Sequence, residues 1–161
     1  MGKNQLLLGS CHSKVLDRIN RMTLIFPMED KLTETVIGCA MKVHRSLGAG
    51  FLESVYANAL AHELGKTGIS YQRETPINVV YDDTVVGEFR SDFQIENQLI
   101  IELKAVESIL PVHEVQVVNY LTATNLDVGL LINFGSSSLQ FKRKHRRKSQ
   151  DQPALSIRLR K

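Results

Sequence analysis

Phe89-Arg90-Ser91-Asp92-Phe93-Gln94-Ile95-Glu96-Asn97-Gln98-Leu99-Ile100-Ile101-Glu102-Leu103-Lys104 reads as two strands and the turn between them. Side chains alternate between the two faces of a strand. Phe89, Ser91, Phe93 and Ile95 therefore share one face of the first strand, and Leu99, Ile101 and Leu103 one face of the second. Burying both sets on the same side requires pairing Ile95 with Leu99 and Phe93 with Ile101 around a three-residue loop, Glu96-Asn97-Gln98. A two-residue loop would mix the faces. The same register sets Asp92 opposite Glu102, with Lys104 two residues further along that face. Carboxylates directly opposed across a ladder repel. Two arrangements relieve this. One is a solvated face on which Glu88, Arg90, Asp92, Glu102 and Lys104 form cross-strand pairs; the other is a divalent cation, since Mg²⁺ takes one or two carboxylates with waters and phosphate oxygens.

Outward from this hairpin the pattern changes period. Leu32, Val36, Cys39/Ala40, Val43 and Leu47 recur at helical spacing behind Asp30 as N-cap, and Gly48-Ala49-Gly50 ends that helix. A second helix carries Leu52, Val55/Tyr56, Ala59/Leu60 and Leu64 as its buried stripe. Strands are expected over 71–81, 85–95 and 99–106, with Asp82-Asp83 turning the first into the second. Pro111 suits the first turn of a third helix running to about Thr124. Residues 128–134 form an almost wholly apolar run, as expected of a strand buried on both faces, and 139–141 an edge strand. The order ααβββαβ(β) predicts an α/β fold with a mixed sheet flanked by helices. The expected organisation is a poorly ordered extension over 1–27, in which Met22 joins Met1 and Met28 as a candidate start, one domain over 28–143, and a basic tail over 144–161.

The chain has 161 residues, 43% apolar and 23% charged, which suits one soluble globular domain with a real core. Its net charge of +3 conceals three unlike parts. Residues 142–161 hold nine Lys/Arg and one acid, residues 1–27 four and one, and residues 28–141 seven and fifteen, giving +8, +3 and −8. An acidic body flanked by basic ends suggests a polyanionic partner held by the ends, although a C-terminal basic run also serves as a solvated tail. Two cysteines, Cys11 and Cys39, exclude a disulfide framework, a four-cysteine zinc site and an iron-sulfur cluster, and the chain reads as cytoplasmic. The apolar stretch Leu6-Leu7-Leu8 is too short for a signal peptide or a membrane span.

On the third helix His113, Gln116 and Tyr120 fall in one stripe, while Val115, Val118 and Leu121 form a separate apolar one. A Gln and a Tyr one turn apart can orient a phosphate or a water; they also make an ordinary exposed face. Glu53 complements the dipole at the start of the second helix. Its neighbours Tyr56 and Leu60 lie on the buried side, so it is expected to point into the domain, toward a metal or Lys104. His44 is placed either to bond the last carbonyls of its own helix or to act as an accessory catalytic group.

Gly50-Phe51-Leu52-Glu53-Ser54-Val55-Tyr56 resembles the signature of the GxxExxY protein family, as do Val43 to Gly48, Pro111 to Glu114 and Gly129 to Phe134 around it; the resemblance covers about 30–143. It implies the restriction-endonuclease-like core of the PD-(D/E)XK nuclease superfamily. By position it implies that Asp92 with Glu102-Leu103-Lys104 is the catalytic D…(D/E)-x-K, that Glu53 is the helical acid of the RecB-type branch, and that Gln116 with Tyr120 is that branch's Q-x₃-Y. Two departures stand out: the four cysteines of the iron-sulfur relatives are absent, and Ser91 replaces the usual proline before the catalytic Asp.

The resemblance thus implies a Mg²⁺- or Mn²⁺-dependent nuclease acting on DNA. Glu53, Asp92, Glu102 and the Leu103 carbonyl are its expected metal ligands, Lys104, Gln116 and Tyr120 complete the catalytic set, and His113 assists. Lys142, Arg143, Lys144, Arg146, Arg147 and Lys148 would neutralise flanking phosphates. Aromatic residues make up only 6% of the chain, so base stacking is not expected to dominate. The alternative is a catalytically silent nucleic-acid-binding or protein-interaction module on the same fold.

Overall fold

A computed structural model of the chain describes residues 31–146. The expected N-terminal extension, the Asp30 cap, Arg147 and Lys148 lie outside the described residues. Helix α1 covers 31–47 and is followed by α2 (Glu53–Gly65), β1 (Tyr71–Tyr81), β2 (Thr84–Ile95), β3 (Leu99–Lys104), α3 (Pro111–Thr124), β4 (Val128–Asn133) and β5 (Gln140–His145). The five strands form one mixed sheet in the order β1-β2-β3-β4-β5, in which only the β3–β4 pair is parallel. This is the α/β restriction-endonuclease-like architecture expected, with helices on both faces of the sheet.

One layer of the core joins Val36, Ala40 and Val43 of α1 and Tyr56, Leu60 and Leu64 of α2 to Phe93, Ile95, Leu99, Ile101, Leu103, Leu130 and Ile132. The other joins Val117, Tyr120 and Leu121 of α3 to Ile77, Ile100 and Leu131. β4 is buried at every position because both layers close on it, as its apolar run from Val128 to Ile132 requires. Gly129 permits the contact: a Cβ there would stand 2.5 Å from Val117 Cγ1, so α3 rests directly on the β4 backbone.

The hairpin forms as its alternation demands. Ile95 pairs with Leu99, Gln94 with Ile100 and Phe93 with Ile101. At the other end of β2, Asp82 and Asp83 take φ of 48° and 59° between the paired Tyr81 and Thr84, the left-handed geometry of a two-residue hairpin turn.

Several details differ from the sequence reading. Phe89 does not share a layer with Phe93: it packs on Tyr120 of α3, with ring centroids 5.9 Å apart. The β1–β2 ladder skips Glu74 and Asp92, and Glu74 takes φ 49°, so alternation breaks there and the outer ribbon folds over α3. In α3 the buried residues are Val117, Tyr120 and Leu121, whereas Val115 is half exposed, because the helix presents to β4 the side that carries Tyr120. In α2, Leu52 is an extended N-cap outside the helix and is exposed, and Val55 is also exposed. Finally, β5 runs to His145, so a boundary at 143 cuts a strand and the basic run starts inside the sheet. Lys142 and Lys144, two residues apart, both reach Glu114 on α3, which turns a polar run into an edge strand.

Candidate active site

The β2–β3 ladder stops at Phe93 and Ile101. Beyond that pair β3 continues alongside β4 while β2 leaves with β1, which opens a fork with Asp92 on one arm and Glu102 and Lys104 on the other. Asp92 does not face Glu102 as a ladder pair. Its Oδ2 accepts the Leu103 N–H at 2.6 Å, so the side chain takes the place of the missing main-chain bond across the fork. Lys104 Nζ donates to Glu102 Oε1 at 2.7 Å. The cross-strand alternation of charges considered from sequence does not form between these two, since the pair lies along one strand.

Glu102 is the most confined of the acids, with a side chain 5% exposed. Its second oxygen, Oε2, is buried and has no hydrogen-bond partner among the described residues. Burial, countered by Lys104 and reinforced by the charges of Asp92 and Glu53, lifts its pKa to about 7. Burial also raises Asp92, against the opposing Leu103 N–H and Lys104. For Lys104, burial works to lower the pKa, but the hydrogen bond to Glu102 and the fields of Glu102, Glu53 and Asp92 outweigh it and the net shift is upward. The cluster therefore holds its negative charge at a cost in solvation that a further cation would relieve.

Glu53 points into the domain as expected. Burial raises its pKa, while Lys104 and a hydrogen bond from the Ala105 backbone N–H act to lower it. A clasp fixes its helix start: Tyr56 is fully buried, stacks on Phe134 with centroids 4.6 Å apart, donates to the Gly48 carbonyl at 2.8 Å and accepts the Phe51 N–H at 3.1 Å. Gly48 and Gly50, at φ 68° and 113°, give the connecting loop a path that other residues rarely adopt. On the other flank Asn133 is fully buried, accepts the Val106 and Gly135 N–H groups at 2.9 and 3.1 Å, and donates to the Val106 carbonyl at 2.8 Å. The Phe134 N–H adds a bond to the Lys104 carbonyl at 2.8 Å. A Cβ on Gly135 would meet Val106 N at 2.4 Å, so this loop rests directly on the segment after Lys104. Tyr56, Asn133 and Gly135 position the site and were missed as such. The signal available was a polar Asn closing the apolar run of β4, immediately before Phe-Gly.

From α3, Gln116 Nε2 donates to Tyr120 Oη at 2.8 Å. Tyr120 is raised by burial, opposed by Gln116, and it feels the charges of Glu102, Lys104 and Asp92, so the pair borders the carboxylates. The two candidate histidines each make a structural contact through one ring nitrogen. His113 Nδ1 accepts the Leu110 N–H at 3.2 Å and closes the start of α3. His44 does not cap its own helix: its Nε2 bonds the Ser136 carbonyl at 2.9 Å and ties α1 to the loop after β4.

The described basic residues are largely engaged. Glu114 receives Lys142 and Lys144, and its pKa falls to about 2 through those two hydrogen bonds. Arg146 binds Asp127 at 2.8 Å as well as the Asn125 side chain. Arg143 lies between the two lysines on β5. Glu114, Asp127 and Asn125 thus hold the described part of the basic run, as far as Arg146, as an ordered strip.

Among the described residues no three His, Cys, Asp or Glu side chains converge as a metal cage. Asp92 and Glu102 instead offer two carboxylates, one with a vacant buried oxygen, which suits a hard cation that keeps waters and takes phosphate oxygens. Glu53 acts on this pair through its charge.

A five-stranded mixed sheet with an Asp at the strand fork and a Glu-x-Lys on the neighbouring strand defines a class of nuclease-like cores. A family profile described as "PD-(D/E)XK nuclease superfamily" matches residues 30–147, and the chain belongs to that superfamily. Among solved structures, one described as "Crystal structure of SSO0001" is similar at a TM-score of 0.49 and 19% identity, over 60% of this chain and 51% of that one. The chain thus spans about half the length of that structure. No curated protein matches. PD-(D/E)XK nucleases generally use divalent metals such as Mg²⁺. No helix among the described residues is long and apolar enough to cross a membrane.

Proposed function

We propose that the protein is a Mg²⁺- or Mn²⁺-dependent nuclease that hydrolyses phosphodiester bonds in DNA, of the GxxExxY family and the RecB-type branch. One observation carries the reading: Glu102 is buried, held on one oxygen by Lys104 and vacant on the other, beside Asp92. Buried carboxylate oxygens of structural ion pairs are mostly hydrogen-bonded, and an unpartnered one next to a second acid suits a cation. Asp92 and Glu102, with the Leu103 carbonyl beside them, would hold the metal, and Glu53 adds negative field from α2. The bound metal supplies Lewis acidity and a water of lowered pKa. Lys104 favours the ionised form of Glu102 against the effect of burial and presents its remaining protons toward charge developing on a phosphate oxygen. Gln116 and Tyr120 orient the strand from the α3 side, and the Leu103 N–H keeps Asp92 from turning away. The basic strip from Lys142 to Arg146, continued in sequence by Arg147 and Lys148, supports flanking phosphates. A reducing, cytoplasmic setting accords with Cys39 as a buried free thiol.

The test is to incubate the protein with labelled single- and double-stranded DNA and RNA in Mn²⁺, Mg²⁺ or EDTA. Metal-dependent cleavage lost in Glu102→Ala and Lys104→Ala is the expected result. Absence of cleavage of every substrate, together with no measurable Mn²⁺ binding, would overturn it; binding without cleavage would identify the silent module instead.

A further inference from the structure

Where the outer β1–β2 ribbon folds over α3 it leaves an open cleft of about 710 Å³, within the range of small-molecule sites. Phe89, Val112 and Val115 form its apolar walls, and Phe89 and Val115 are each half exposed. Between them stand three carboxamides, Asn78, Gln116 and Asn119. Among the described residues no Lys, Arg, Asp or Glu lines this cleft, although Glu114 and Lys144 lie on one side of it and Glu88 and Arg90 on the other. The chemistry suits a neutral, flat ligand with apolar faces and an edge of mixed donors and acceptors. It does not suit a phosphate or a charged peptide.

Tyr120 joins the cleft to the carboxylates. Its ring meets Phe89 at 5.9 Å and lines the cleft, while its hydroxyl end takes the Gln116 bond and feels the charges of Glu102 and Lys104. A ligand with a neutral ring and an attached phosphodiester fits this sequence of surfaces, ring in the cleft and phosphate toward Lys104. We propose that the cleft receives one unstacked nucleobase of the bound strand, next to a phosphate drawn toward Lys104, so that the protein favours single-stranded over paired substrate. This rests on the nuclease reading for the position of the phosphate. Extracting a base from a duplex costs unstacking and unpairing, which a single strand is largely spared. One base on Phe89 is compatible with the low aromatic content, since the remaining affinity is electrostatic.

The test uses the full chain in EDTA, so that binding is read without cleavage, and a single-stranded DNA carrying 2-aminopurine at successive positions. The expected result is quenching at one position, and binding weakened by about 5- to 150-fold in Phe89→Ala, the worth of one stacked base. An oligonucleotide abasic at that position should lose the same factor with wild-type protein and lose nothing more with Phe89→Ala. Val115→Trp, which fills the cleft from an exposed helix face, should reproduce the loss without touching the ribbon. Equal losses on intact and abasic strands, no quenching at any position, or a Phe89→Ala or Val115→Trp protein changed only in its association state would overturn the proposal. Cleavage in Mn²⁺ separates the two readings. If the nuclease reading fails, quenching persists without turnover; if the base site fails, turnover persists unchanged in Phe89→Ala.

Discussion

Two carboxylates on the α3 side of the sheet are each held by lysine, and they titrate in opposite directions. Glu102 has one lysine, a side chain 5% exposed and a vacant oxygen; its pKa is pushed up to about 7. Glu114 has two lysines, a side chain 22% exposed and both oxygens engaged; its pKa is drawn down to about 2. Contact with an ammonium group does not by itself fix the charge of an acid. The balance of solvation lost against partners gained does. Glu114 is a closed ion cluster that fastens β5 to α3, whereas Glu102 is an open one, under-supplied with positive charge inside the fold.

The largest effect should come from removing the lysine at the open cluster. Lys104→Ala strands a buried acid and should cost about 3–5 kcal/mol at pH 8 by urea unfolding. Much of that loss should return at pH 5.5, where Glu102 takes up a proton; a pH-independent loss would break the contrast. Glu102→Gln should lower Mn²⁺ affinity by at least about 100-fold in titration calorimetry, beyond the range for groups that merely orient ligands. Glu114→Gln should leave Mn²⁺ affinity unchanged.

The pH dependences should have opposite signs. Folded Glu102 binds its proton more tightly than the unfolded chain, whose ordinary value is 4.5. In metal-free protein its stabilising contribution, up to about 3 kcal/mol, is complete below that value and disappears as pH rises through about 7. Glu102→Gln should flatten that slope. Glu114 contributes above its ordinary value of 4.5 and loses that contribution as pH falls through about 2, a loss Glu114→Gln should not show. Both slopes are read from urea midpoints across pH. The smallest effect concerns the freed lysines. Glu114→Gln should tighten DNA binding modestly and steepen its log–log salt dependence by roughly 0.7–0.9 per lysine released, measured by fluorescence anisotropy.

The open cluster was more legible in the sequence than the closed one. Alternation of apolar residues from Phe93 to Leu103 sufficed for the register, because sliding the strands by one residue exposes the whole set. Glu53 was readable from Tyr56 and Leu60 on its own helix. What escaped were features set by contacts distant in sequence. Phe89 changes layers because of a left-handed residue at Glu74 on the neighbouring strand, which no pattern within β2 contains. Lys142 and Lys144 look like a solvated run until Glu114, 28 and 30 residues earlier, is brought beside them. His44 finds its partner at Ser136, 92 residues on, rather than in its own last turn.

β5 also ends the sheet. Among the described residues nothing pairs with its outer side, so its main chain is a template on which another extended chain could add. Lys142, Arg143 and Lys144 place consecutive like charges along that border, where an incoming copy would bring the same charges into register. Pairing with a second copy along this border should therefore increase when those charges are neutralised, which light scattering would show.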